Sequence, residues 1–116
     1  MAYFEDLDVW HMAKKLTMTT YKDFQFGHDY GFKDQIQRAA TSIMNNIAEG
    51  SESGTAANYI HYLHIAKGSC AEVRSMLYLA DELNYCEHEK ALLAIAECKN
   101  ITGAINNLIK YLNTRK

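Results

Sequence analysis

Residues 55–83 read TAANYIHYLHIAKGSCAEVRSMLYLADEL, an unbroken run from Thr55 to Leu83 that decides the fold class. Tyr59, Leu63, Ala66, Cys70, Val73, Leu77 and Ala80 recur at alternating steps of four and three, the rhythm of one buried helix face. Beside them Tyr62, Ile65, Ser69, Glu72, Met76, Leu79 and Leu83 keep similar steps. Two adjacent stripes on one helix call for neighbours on two sides. Thr55 suits the N-cap position. A helix of this span would be about 43 Å long at 1.5 Å per residue.

Working outward, Gly50 stands where a C′ glycine would end a preceding helix, and Ser51-Glu52-Ser53-Gly54 forms the connection. That preceding helix carries Phe32, Ile36, Ala39, Ile43 and Asn46 on one stripe, widened by Ala40 and Ile47. Before it, the break Gln25–Gly31 contains two glycines, and an earlier helix is expected to have Asp8 as its N-cap, with Val9, Ala13, Leu16 and Thr20 in helical spacing. After Asn84-Tyr85-Cys86-Glu87, a last helix aligns Ala91, Ala94, Cys98, Ile101, Ile105, Leu108 and Leu112. Four helices are therefore expected at about 8–24, 31–50, 55–83 and 88–113. Short connections make consecutive helices antiparallel, so residues 1–116 should form one all-α, up-down-up-down four-helix bundle.

Composition agrees with this reading. The chain has 116 residues, 48% apolar and 22% charged, which supports a core and excludes wholesale disorder. There is no proline to interrupt a helix. No apolar run reaches the roughly 18 residues a membrane helix needs, and Met-Ala-Tyr-Phe-Glu-Asp does not read as a signal peptide. A cytoplasmic protein without a membrane role is expected.

The residues that could carry chemistry are few. His61 and His64 lie three apart on one helix face, but no Glu-x-x-His pair recurs as a bundle di-metal site requires. Cys70, Cys86 and Cys98 show no Cys-x-x-Cys spacing, and two of them fall on apolar seams where cysteine packs as a small hydrophobe. Phosphate-loop, dinucleotide and nucleophile-elbow motifs are missing. The expectation is a protein that is not an enzyme and has no cofactor and no metal.

Other positions stand out on physical grounds. Gly68 in mid-helix costs about 1 kcal/mol relative to alanine, which marks a place of close helix approach. Ser69 and Glu72 interrupt an apolar seam, and folding the second helix back on the third brings Arg38 within about a turn of Glu72. An Arg38–Glu72 ion pair fixing the register is expected. Asn46 and Glu49 end the second helix with polar groups, and Glu49 opposes the helix dipole there. Net charge is −2, yet Lys14 and Lys15, Lys110, Arg115 and Lys116 fall near the meeting of the first and last helices. Together they suggest a modest positive patch for nucleic acid, although cations also suit a helix C-terminus.

These blocks carry a resemblance. Phe4-Glu5-Asp6-Leu7-Asp8-Val9-Trp10, Gln35-Ile36-Gln37-Arg38-Ala39-Ala40-Thr41-Ser42-Ile43, Asn46-Ile47-Ala48-Glu49-Gly50 and Tyr62-Leu63-His64-Ile65-Ala66-Lys67-Gly68-Ser69, with Glu72 beyond, follow one another in order. In this the chain resembles the four-helix-bundle family of proteins encoded by intervening sequences in bacterial 23S ribosomal RNA genes. The accessory protein of diversity-generating retroelements is related to that family. The resemblance implies a small non-enzymatic bundle that assembles with itself as a homopentamer, with ribosomal RNA, another nucleic acid or a nucleic-acid-handling protein as partner. A scaffold for protein contacts without nucleic-acid binding is the alternative. Relatives often place arginine or lysine after Asn-Ile-Ala-Glu-Gly, where this chain reads Ser51 to Ala57.

Overall fold

The computed structural model describes residues 3–24 and 26–115. After a short 3-10 turn at Phe4–Asp6, four helices follow: α1 (Asp8–Lys22), α2 (Tyr30–Ser51), α3 (Ala56–Glu82) and α4 (His88–Asn113). No strand occurs among the described residues. Each helix packs on the next and α1 returns to α4, which closes the expected four-helix bundle. It measures 45 × 20 × 20 Å, the long side matching the length of α3.

The core follows the apolar periodicity. Leu63, Ala66, Cys70, Val73, Leu77 and Ala80 of α3 are wholly buried, as are Ile36, Ile43 and Ile47 of α2. Ala13 and Leu16 of α1 and Cys98 and Ile105 of α4 complete the same interior. Burying one such aliphatic side chain contributes on the order of 1.5–3 kcal/mol, so this stripe is the main source of stability. The Cys70 thiol donates to the Cys98 carbonyl at 3.2 Å and takes a bond from the Thr102 hydroxyl at 3.6 Å. Its hydrogen bond with the Cys98 side chain draws Cys70 down to about 7 against the opposing effect of burial. The same contact, together with burial, pushes Cys98 up. Neither thiol is exposed.

The helix ends have local causes. Thr55 caps α3, its hydroxyl accepting from the Asn58 N–H at 3.1 Å. The C-terminus of α3 closes in a Schellman arrangement: Asn84 has φ 59°, its N–H bonds the Asp81 carbonyl, and the Tyr85 N–H reaches the Ala80 carbonyl at 2.8 Å. α1 ends at Lys22, two residues before the expected limit, because Phe24 and Phe26 turn inward. With Phe32 and Tyr85 they form a chain of aromatic contacts, centroids 5.2–5.6 Å apart, that plugs this end of the bundle. Asp29 caps α2 through the Phe32 N–H at 3.0 Å and accepts the Tyr85 hydroxyl at 2.9 Å, tying the two loops together. At the start of α1, Asp8 is the first helical residue and Leu7 holds the cap position.

Three sequence expectations are corrected. Gly50 lies inside α2 rather than beyond its end, and it, not Gly68, is the point of close approach. A Cβ at Gly50 would fall 2.9 Å from the Tyr62 Cβ and 3.3 Å from the Tyr59 carbonyl, whereas nothing lies within 4 Å of one at Gly68. The Arg38–Glu72 pair does not form. Arg38 Nε pairs with Asp34 one turn back at 3.0 Å, and Glu72 accepts from Gln35 Nε2 at 3.2 Å. Three residues of helix turn Arg38 about 60° from Gln35, off the α2–α3 seam and into solvent. Besides the Gln35–Glu72 bond, the seam is spanned by a hydroxyl contact, Ser42 to Ser69 at 2.9 Å, with Asn46 Nδ2 donating to both the Ser42 hydroxyl (3.0 Å) and carbonyl (2.8 Å). Glu49 is exposed.

These contacts give two expected outcomes. Gly50→Ala should lose about 1–3 kcal/mol by overpacking against Tyr62, while Gly68→Ala should gain about 0.5–1 kcal/mol from helix propensity; urea unfolding of both variants measures the opposite signs. Asp29 holds the Tyr85 phenol above its ordinary value of 10.0, chiefly by hydrogen bonding. The bond therefore stabilises fully below pH 10 and is lost as pH rises through the raised value. Tyr85→Phe should melt below the wild type at neutral pH and lose that deficit in alkali.

Candidate nucleic-acid interface

α1 contributes a cationic stripe. His11, Lys14, Lys15, Met18 and Lys22 follow helical spacing on its outer side, and with Thr19 and Asp23 they line an open groove of about 380 Å³. Lys14 Nζ lies over the Trp10 ring, 5.5 Å from its centroid, which leaves the ammonium in water while its stem packs on the indole. His11 Nε2 is fixed by the Glu5 carbonyl at 2.6 Å. Lys15 reaches toward α4, where its Nζ stands 4.0 Å from Glu97 Oε1. Lys90, at the start of α4, lines the adjoining groove together with Lys15.

The expected patch is thus divided. Lys14 and Lys15 are brought together, but Lys110 lies thirteen residues beyond Glu97 on α4, about 20 Å farther along the axis. Arg115 is there as well, its guanidinium stacked on the Tyr111 ring at 4.9 Å. Lys116 lies outside the described residues. Antiparallel order places the end of α4 near the start of α1, but α1 has 15 residues and α4 has 26, so the last turns of α4 run past it. Lys22 and Lys90 are the neighbours that sequence reasoning missed. The spacing of His11, Lys15 and Lys22 was a readable signal for the former, but only the offset of α1 against α4 reveals Lys90.

The remaining candidates are not assembled into a centre. His61 and His64 both face solvent on α3. Among the described residues no three His, Cys, Asp or Glu side chains come close enough to hold a metal ion. No helix of the structure is long and apolar enough to cross a membrane.

A protein of unknown function from the S23 ribosomal protein family of Bacteroides thetaiotaomicron VPI-5482, solved by crystallography, shares the fold with a TM-score of 0.79 at 23% sequence identity. The likeness covers 88% of this chain and 98% of that one. No curated protein matches this chain. The model of the 23S rRNA-intervening sequence proteins matches residues 5–107, from the turn before α1 well into α4. A match of that extent, on the four helices and in their order, places the chain in the 23S rRNA-intervening sequence protein family.

Proposed function

We propose that this protein is a non-enzymatic binding scaffold in the cytoplasm, in which identical bundles assemble and present the cationic side of α1 to RNA. The carrying observation is the row His11, Lys14, Lys15 and Lys22 with Lys90 beside it, a local concentration of positive charge on a chain whose net charge is −2. Family membership supports RNA, and 23S ribosomal RNA first, as the partner class. Assembly is supported by α3. Its inner stripe is covered, but Ile65, Leu79 and Leu83 remain 41%, 49% and 47% exposed on its flank, beside an exposed Tyr78. Three leucine-sized side chains on one side of one helix are more than a monomer needs to leave in water. A closed ring of copies covers such a flank, and five is the number that the family resemblance implies.

The low overall charge favours a second reading, a protein-binding scaffold with no nucleic-acid partner, a nucleic-acid-handling protein included among what it could hold. Asp23 and Glu97 lie among the lysines and temper the patch. Salt dependence separates the readings.

Binding to 23S ribosomal RNA fragments should weaken linearly in log–log form with added salt, with a slope of about −2 to −4 for the few lysines engaged. Reversing Lys14, Lys15 and Lys22 together to glutamate should abolish it, whereas Lys110→Glu, a separate site, should leave most of it; filter binding at low salt without any complex would reject the RNA reading. Light scattering should give a mass several times 13.2 kDa, and Leu79→Glu with Leu83→Glu should reduce it to that of a monomer. A monomeric wild type at micromolar concentration would end the assembly reading.

A further inference from the structure

Glu97 sits in the α1–α4 seam with its side chain 23% exposed, and its Oε2 is shut away from solvent with no hydrogen-bond partner. Among the described residues only the Tyr59 hydroxyl shares that condition. A buried carboxylate oxygen without a donor is costly, so such an atom marks a place where a donor belongs. Among the described residues its one counter-charge is a loose one: Lys15 is 77% exposed and 4.0 Å away. An ion pair of that kind is worth little, and Lys15 can swing outward at small cost.

Space adjoins the Glu97 side chain on both sides. One cavity of about 180 Å³ lies between Met12, Asn100 and Ile101; another of about 220 Å³ lies by Thr19, Phe24 and Leu93. Lys15 and Glu97 are the wall common to both. The groove therefore has an apolar floor, a recessed acceptor and cations at its edge. That combination matches a nucleotide, whose base is flat and apolar with N–H donors on its rim and whose phosphate is anionic.

We propose that the α1–α4 groove is a base-reading pocket, in which one unpaired ribonucleotide lays its base against Leu93 and Phe24, in the cavity that Lys90 also lines, and donates hydrogen bonds to Glu97. Lys15 turns from Glu97 to the phosphate, with Lys14, Lys22 and Lys90 around it. Guanine is the preferred base. Its ring N1–H and exocyclic amino group are neighbouring donors that meet the two oxygens of a carboxylate, while uracil offers one N–H flanked by carbonyls that a carboxylate repels. The proposal rests on the RNA reading above and adds base preference to it.

Fluorescence anisotropy of the full chain with a labelled oligouridine, and with the same oligouridine carrying one central guanosine, tests it. The guanosine probe should bind about tenfold tighter to the wild type. Glu97→Gln should bind the two probes alike, and its thermal melt at or above that of the wild type shows the fold intact. Lys15→Met should weaken both probes and keep their ratio. Equal binding of the two probes by the wild type, or a guanosine preference that survives in Glu97→Gln, overturns the pocket while leaving the RNA role standing. Failure of both probes to bind at low salt overturns the two together.

Discussion

The contact between α2 and α3 at Gly50 is the constraint from which the remaining geometry follows. With no Cβ at that position, the last turn of α2 rests on the Tyr59 and Tyr62 side of α3, and the hairpin closes tightly. Closure sets the register in which Ser42 meets Ser69. From there the inner stripe of α3 is shared: α2 covers one side, and α4 covers the other through Cys98 and its neighbours. α1 then docks in the remaining gap, held to α2 by the buried Thr17 hydroxyl, which donates to the Ala40 carbonyl at 3.1 Å.

Most of this was legible because the apolar pattern of a bundle is periodic and local. The buried stripes on α2 and α4 and the first of the two on α3 follow those read from spacing, whereas Ile65, Glu72, Leu79 and Leu83 of the second α3 stripe stay exposed; Thr55 caps α3 as its side chain suggests. What escaped depends on offsets that spacing does not encode. Helix periodicity places Arg38 near Glu72 along the axis but not 60° around it, so a surface pair with Asp34 forms instead. Gly50 and Gly68 look alike as residues, and only the neighbouring helix distinguishes the crowded one from the open one. Phe24 and Phe26 continue no helix, yet they are almost completely buried, since a bundle end also needs a lid.

The candidate interface shows the same limit more sharply. Charges on one helix can be grouped by counting residues, which is why Lys14 and Lys15 stay together. Charges on two helices can be grouped only when the shift between the helices is known. The shift here moves Lys110 and Arg115 away and brings Lys90 in. Uneven helix lengths thus decide which cations act together, and through them which surface faces a polyanion.

The sparse α1–α4 seam also bears on how the chain folds. Connections of a few residues join the helices, so every pairing except this one is between neighbours in the chain. Joining α1 to α4 closes the longest loop for the least packing, a balance that favours it as the final docking step and the earliest unit to open. With no prolyl bond to isomerise, nothing in the backbone slows that exchange to seconds. The helix that carries Lys14, Lys15 and Lys22 is therefore also the cheapest to detach, and a polyanion gripping it would act as a clamp on the native state.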